Sequence, residues 1–277
     1  MNRTAPLGAG LGLKAEHFAQ ALACNADGLW YEVHPENYMV GGPRLAWLQR
    51  MAERHALSLH GVALSLAADA EPDITHLRRL RVLIDQVNPV LVSEHLAWST
   101  WRDQYHPDLL PFPRSHEALA RISDNILRTQ DALGRCIAIE NPSHYLQLQG
   151  HDLDEIEFLG ELVRRTGCTL LLDINNVHVS AHNLGFNAQG YLDRFPAHAI
   201  SEVHLAGHSH DDQGALLIDS HDAAIAEPVW ALYRRLIARI GARPTLIERD
   251  GNLPAFDELL AERAIAQSTL DHAGALP

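Results

Sequence analysis

Seven short apolar runs in this chain end in a histidine or a carboxylate, and that repetition restricts the fold more than any other feature. They are LWYEVH (29–34), LSLHG with His60, VLVSEH with Glu94 and His95, CIAIEN with Glu140, TLLLDIN with Asp173, SEVHL with His204 and PTLIER with Glu248. An eighth run near the start, LGAGLGL, carries no such residue. Short runs rich in Leu, Ile and Val read as strands buried on both faces. Between them, apolar residues recur at helical spacing, which predicts helices over 14–25, 43–55, 73–88, 115–133, 154–166, 225–240 and 254–267. Asp73 and Ser115 sit where N-caps belong, and Gly134 and Gly167 where C-caps belong. Strand–helix alternation implies parallel βαβ units. Eight such units in 277 residues predict an α/β fold, a single (β/α)8 TIM-barrel domain over 1–277. An open doubly wound sheet is the competing arrangement. Ligand-type residues on nearly every strand favour closure, because the C-terminal ends of barrel strands converge on one pocket.

That pocket would hold imidazoles and carboxylates, the donors that metal ions take. Eighteen histidines match the idea, several of them beside carboxylates. The net charge of −13 argues against nucleic-acid and anionic membrane partners. No apolar run approaches membrane-spanning length, and MNRTAPLGAGLGL lacks a secretory signal, so a cytoplasmic protein is expected. Cys24, Cys136 and Cys168 are widely spaced, which predicts buried, reduced thiols rather than disulfides or a zinc–thiolate site.

His60 ends the third strand. Alone it would read as a core histidine bonded to a carbonyl; beside six similar strand ends it reads as a ligand. Glu94 and His95 are adjacent and point to opposite faces, so His95 is the expected ligand and Glu94 its support or an ion-pair partner. Glu140 follows Ile137–Ile139 and is costly to bury unless paired or metal-bound; it could bridge two ions. Asp173 ends a strand, and Asn176 and His178 share a face if the chain stays extended. His204 is a strand-end ligand, and His208 a loop residue that touches substrate, whereas His210 reads as solvated. Asp219 and His221 could close a site from above. Glu248 completes the set, with Asp250 as a cap or an arginine partner. Glu32, His34, Glu36 and Asn37 read as pocket or substrate residues. The connections 35–43, 99–116 and 207–222 form the expected rim. The donors contain no thiolate and exceed what one ion needs, so two or three ions of iron, manganese, zinc or cobalt are expected.

The phrases EVHPENYM, LSLHGVALSL, LVSEHLAWS, IENPSHYL, LLLDINNVHVSAHNLGF, EVHLAGHS, LIDSHDAAI and PTLIERDGNLP, in this order from about Gly8 to Glu262, resemble the multinuclear non-heme iron-dependent oxidase family. The resemblance implies a TIM barrel holding two or three irons in a mixed Fe(II)/Fe(III) state, with O2 as co-substrate. It also implies a cysteine-containing, ribosomally made precursor peptide as substrate and a separate leader-binding partner protein. By motif, His60, His95, Glu140, Asp173, His204 and Glu248 match positions that bind an iron pair, and Asn176, His178, Asp219 and His221 match the region of a further iron. Glu140, Asp173 and His208 are the residues expected to act in catalysis. The expected chemistry is oxidation at the substrate cysteine, giving a heterocycle or a related rearrangement. A zinc- or manganese-dependent TIM-barrel isomerase or hydrolase is the alternative, though the rim is not basic enough for a phosphate substrate. A metal chaperone is a third reading, and ligands on seven strands are excessive for it.

Overall fold

The computed structural model describes residues 7–101 and 104–274. The first six residues of the segment read as free of a secretory signal, and Arg102 and Asp103 of the 99–116 connection, lie outside the described residues.

Eight parallel strands close into a barrel: β1 (Ala9–Gly12), β2 (Trp30–Val33), β3 (Ala56–Gly61), β4 (Leu91–His95), β5 (Ala138–Glu140), β6 (Thr169–Asp173), β7 (Ile200–Leu205) and β8 (Thr245–Ile247). Each pairs with its sequence neighbours and β8 returns to β1, so the TIM barrel read from the sequence is the fold. The helices are α1 (Phe18–Ala23), α2 (Pro43–Arg54), α3 (Ile74–Val87), α4 (His116–Leu133), α5 (Glu155–Thr166), α6 (Ile174–Leu184), α7 (Ala188–Arg194), α8 (Glu227–Ile240) and α9 (Phe256–Gly274). Asp73 and Ser115 do cap α3 and α4, and Gly134 and Gly167 end α4 and α5 in left-handed conformations that glycine adopts without strain.

Strand alternation sorts the side chains. Leu57, Leu59, Leu170, Leu172, Val203 and Leu205 belong to the hydrophobic core that the helices cover. Ser58, Glu32 and Glu202 lie on the other face, inside the barrel, where bulky branched residues usually pack. β1 carries glycines at its inward positions, Gly10 and Gly12, and at Gly10 the interior space is taken. A Cβ on Gly10 would sit 2.5 Å from the Trp30 indole, whose Nε1 donates to the Gly8 carbonyl at 2.9 Å. Register then sets the upper layer, with His95 opposite Glu140 and Asp173 opposite His204.

Two rim connections carry antiparallel hairpins, Trp98–Trp101 with Gln104–Leu110 and Ser209–His210 with Leu217–Ile218. No helix among the described residues is long and apolar enough to cross a membrane. The cysteines depart from the expectation of burial: Cys168 is buried, Cys24 is half-buried and Cys136 is exposed, and all are free thiols. Cys136 lies in the turn before β5, outside the packed strand.

Candidate metal centre

His60 Nε2 lies 3.0 Å from Glu140 Oε2 and 3.3 Å from His95 Nε2, and His95 Nε2 lies 3.2 Å from the same carboxylate oxygen. The far nitrogens are held from behind: His60 Nδ1 by Ser93 Oγ at 2.8 Å, and His95 Nδ1 by the Gly61 carbonyl at 3.0 Å. A carbonyl only accepts, so His95 carries its proton on Nδ1 and presents a lone pair on Nε2. Across the pocket, His204 Nδ1 is 3.1 Å from Glu248 Oε2, and Asp173, His204 and Glu248 offer donor atoms within 4.8 Å of one another. His204 also groups with His60 and Glu140, so it joins the two sets.

A third group comes from the 207–222 connection. His221 lies 2.8 Å from Asp219 through Nε2 and 3.4 Å from Glu248 through Nδ1. His221 has a φ of 49°, a strained value for a non-glycine residue. Its backbone is fixed there by its bond to the Gly207 carbonyl and by the amide of Asp250. Asn175 donates to Asp219 at 2.7 Å and accepts from His208 Nδ1 at 2.8 Å.

These donors fit cations. Glu32, Glu140, Glu202, Asp219 and Glu248 meet only histidines among the described ion pairs. Burying that much carboxylate is costly without a compensating positive charge. Glu140 Oε2, Asp173 Oδ2, Asn176 Oδ1, His204 Nε2 and His221 Nε2 are buried and make no hydrogen bond. Several of them nevertheless stand about 3 Å from a neighbouring donor atom, as His60 and Glu140 do. Contacts that close, without hydrogen-bond geometry, are the arrangement of atoms that face a common point.

Charge coupling is strong throughout. Burial alone would depress His60, but Glu140 and Glu32 outweigh it and raise its pKa to about 10. Burial works to raise Glu140, yet His95 and His60 pull it to about 2. Burial lowers His95. Burial pushes Asp173 well up, with His221 opposing. Glu202 rises to about 8 through burial and the nearby Glu32 carboxylate. A bound cation would displace the imidazole protons and hold the carboxylates ionised.

The structure thus brings His60, His95, Glu140, Asp173, His204, Asp219, His221 and Glu248 to one pocket, with Asn176 at its floor. Asn176 donates to Glu140 at 3.3 Å and to the Asn141 carbonyl at 3.0 Å, leaving its own oxygen free. The expected extended path through Asn176 and His178 is corrected: α6 starts at Ile174, capped by Asp173, which accepts from the Asn176 amide at 2.6 Å. Two residues on a helix diverge by roughly 200°. His178 therefore turns away from Asn176 and packs on the His208 ring at 4.9 Å, outside the grouped donors. Burial and His208 lower its pKa to about 4.

Among the described residues Glu94 has no arginine partner. It is buried, accepts from the Leu64 and His95 amides, and burial raises its pKa well above the usual carboxylate value. Asp250 meets Lys14 and His34 rather than an arginine, and with His34 and Glu248 makes a further donor group. Glu36 accepts from the Val62 amide, while Asn37 is exposed. Glu32 is more central than expected, 3.2 Å from His204 Nε2. Glu202 is a donor that the reading of strand ends does not find. It stands two residues before His204 on the same strand, and strand alternation alone would have placed it on the same face.

The sequence matches the family described as "RiPP precursor modification enzyme MbnB/TglH/ChrH" over residues 8–271, where RiPP denotes a ribosomally made, post-translationally modified peptide. The chain belongs to this family. It is the multinuclear non-heme iron-dependent oxidase family that the motifs resemble. Relatives include a "UPF0276 protein" of Caulobacter sp. (strain K31), 64% identical over 264 residues, covering 95% of this chain and 96% of the relative. Another, from Paraburkholderia phytofirmans, is 46% identical over 271 residues, covering 96% and 88%. Among solved structures, endonuclease IV from Thermus thermophilus aligns with a TM-score of 0.58 at 14% identity, covering 96% of this chain and 100% of that one. The apo form of the E. coli 3-keto-D-glucoside 4-epimerase YcjR aligns at 0.56 and 14%, covering 95% and 98%. At such identities these structures establish the barrel and nothing about chemistry.

Proposed function

We propose that the chain is an O2-dependent oxidase with two or three irons that modifies a cysteine of a ribosomally made precursor peptide, assisted by a separate leader-binding protein. The observation that carries this reading is the thiolate-free cluster of imidazoles and carboxylates, larger than one ion needs, in a member of a precursor-modifying family. His60, His95, Glu140, Asp173, His204 and Glu248 would hold an iron pair, and Asn176, Asp219 and His221 a further iron. His178 is a weaker candidate, since its ring faces His208. Bound iron would supply O2 activation and a ligand position for the substrate sulfur.

The chain's own residues prepare that encounter. Ser93 and Gly61 fix the His60 and His95 rings. The Asn175 amide donates to Asp219 through nitrogen, so its oxygen must accept the His208 Nδ1 proton. His208 Nε2 is then the lone-pair nitrogen. Burial lowers the His208 pKa, which keeps it neutral near pH 7 and able to take a proton from a substrate thiol. Glu140 and Asp173 are both buried, so their carboxylates face the cluster rather than bulk solvent.

The test is anaerobic addition of a cysteine-containing precursor peptide and its partner protein to iron-loaded enzyme. The expected result is a change in the iron spectrum on binding, then O2 consumption stoichiometric with peptide oxidation. An unchanged spectrum and no O2 uptake would end the proposal.

A further inference from the structure

A second cavity, of about 490 Å³, opens beside the donor cluster and is assigned to nothing above. Its wall is mostly apolar, from Phe112, Leu146, Leu148, Leu184, Phe186 and Tyr191. Leu146 is 54% and Phe186 36% exposed, large apolar groups left open to water at the mouth. One corner is polar. Glu155 joins His144 Nε2 at 2.7 Å and the Tyr191 hydroxyl at 2.9 Å, with Arg114 3.7 Å away. Arg114 Nε is buried and donates to nothing, so one N–H of that corner lacks an acceptor.

The cavity's position links it to the donor cluster. Its walls come from the connections that follow β4, β5 and β6, the strands that end in His95, Glu140 and Asp173. His144 lies four residues beyond Glu140. α6 spans the gap, with Asn176 at the donor cluster and Leu184 in the cavity wall. Eight residues of helix rise about 12 Å, which an extended peptide covers in about four residues.

From this geometry we infer that the cavity is a specificity pocket for the precursor peptide, taking a bulky apolar side chain about four residues from the modified cysteine. The inference rests on the proposed function for its occupant. It adds a selection rule: precursors are sorted by an apolar anchor at a fixed spacing as well as by the cysteine.

Gly190 supplies the test. It lies in α7 on the cavity wall, and the nearest side-chain atoms that a Cβ there would meet belong to Asn187, at an ordinary 3.6 Å. Gly190→Leu therefore adds apolar bulk to the cavity wall at a position whose first added carbon has room. Leu146→Ser, at the exposed mouth, is the second variant.

Dye-labelled glycine–serine peptides with one cysteine, and leucine, glycine or lysine four residues from it, are titrated anaerobically onto Fe(II)-loaded protein, beside counterparts in which serine replaces the cysteine. Anisotropy reads binding, and thiolate-to-iron absorption reads arrival of the sulfur. The leucine peptide should bind about tenfold tighter than the glycine one. Both variants should lose most of that gain while retaining wild-type metal content and melting temperature. No leucine advantage, an equal advantage for lysine, or a gain that survives Gly190→Leu would overturn the inference. Leucine-dependent binding with no absorption difference between cysteine and serine peptides would instead sink the oxidase reading and leave the cavity as a binding site. An absorption band without leucine dependence would sink the pocket alone.

Discussion

Gly207→Ala isolates the third donor group from the rest. Gly207 follows β7, and its carbonyl accepts from the His221 amide at 3.1 Å. A Cβ at this position would lie 2.0 Å from the Ala223 carbonyl oxygen, 2.5 Å from its carbon and 2.8 Å from the Ala224 oxygen. All three are backbone atoms, so no rotamer change relieves the clash. Restoring even a 3.0 Å contact moves the 219–223 segment by about 1 Å, whereas metal–ligand distances tolerate roughly 0.2 Å. The variant should lose about one metal ion per chain and keep the ions held by the strand-end residues. Overpacking of this kind costs about 1–3 kcal/mol, a fall of several degrees in melting temperature. The assay is metal analysis of anaerobically purified protein alongside a thermal melt. Gly160→Ala is the control, because nothing lies within 4 Å of a Cβ there. It should stabilise α5 by about 0.5–1 kcal/mol with metal content unchanged. A Gly207→Ala protein with full metal content and wild-type stability would refute the reasoning. So would one that loses every ion, since the strand-end donors would then depend on the connection.

Three further outcomes follow from particular residues. Asp154→Ala removes a capping box in which Asp154 accepts from the Glu157 amide at 2.8 Å and Glu157 accepts back at 3.1 Å, so the melt should report a loss of about 1 kcal/mol. Burial would raise the Glu155 pKa, but His144, Arg114 and Tyr191 win and hold it below the ordinary 4.5. Its contribution is thus complete above pH 4.5 and is lost as pH falls toward the lower folded value; Glu155→Gln should flatten the stability–pH curve on that acid side, and an unchanged slope would contradict the assignment. His204→Ala should reduce metal content more than any other single ligand change, because His204 belongs to both strand-end groups.

The strand ends were legible because a barrel obeys a simple rule. Each parallel strand needs a short apolar run, and its last inward residue faces the pocket, so His60, Glu140, Asp173 and His204 announce themselves. α6 was not legible as a helix. Asn175, Asn176, Val177 and His178 all have modest helix propensity, and the Asp173 cap that starts the helix also reads as a strand end. Glu202 was hidden by its more conspicuous neighbour His204. The apolar cavity had no signature, because three separate connections each lend it a few side chains and no local pattern records their meeting.

Whether this donor cluster holds a multi-iron centre is tested most directly by metal analysis with Mössbauer spectroscopy on protein purified without oxygen or added metal. Two to three irons per chain, magnetically coupled and partly ferrous, are the expected result. Stoichiometric zinc or manganese with little iron, persisting after iron supplementation during expression, would contradict it and move the chain to hydrolase or isomerase chemistry.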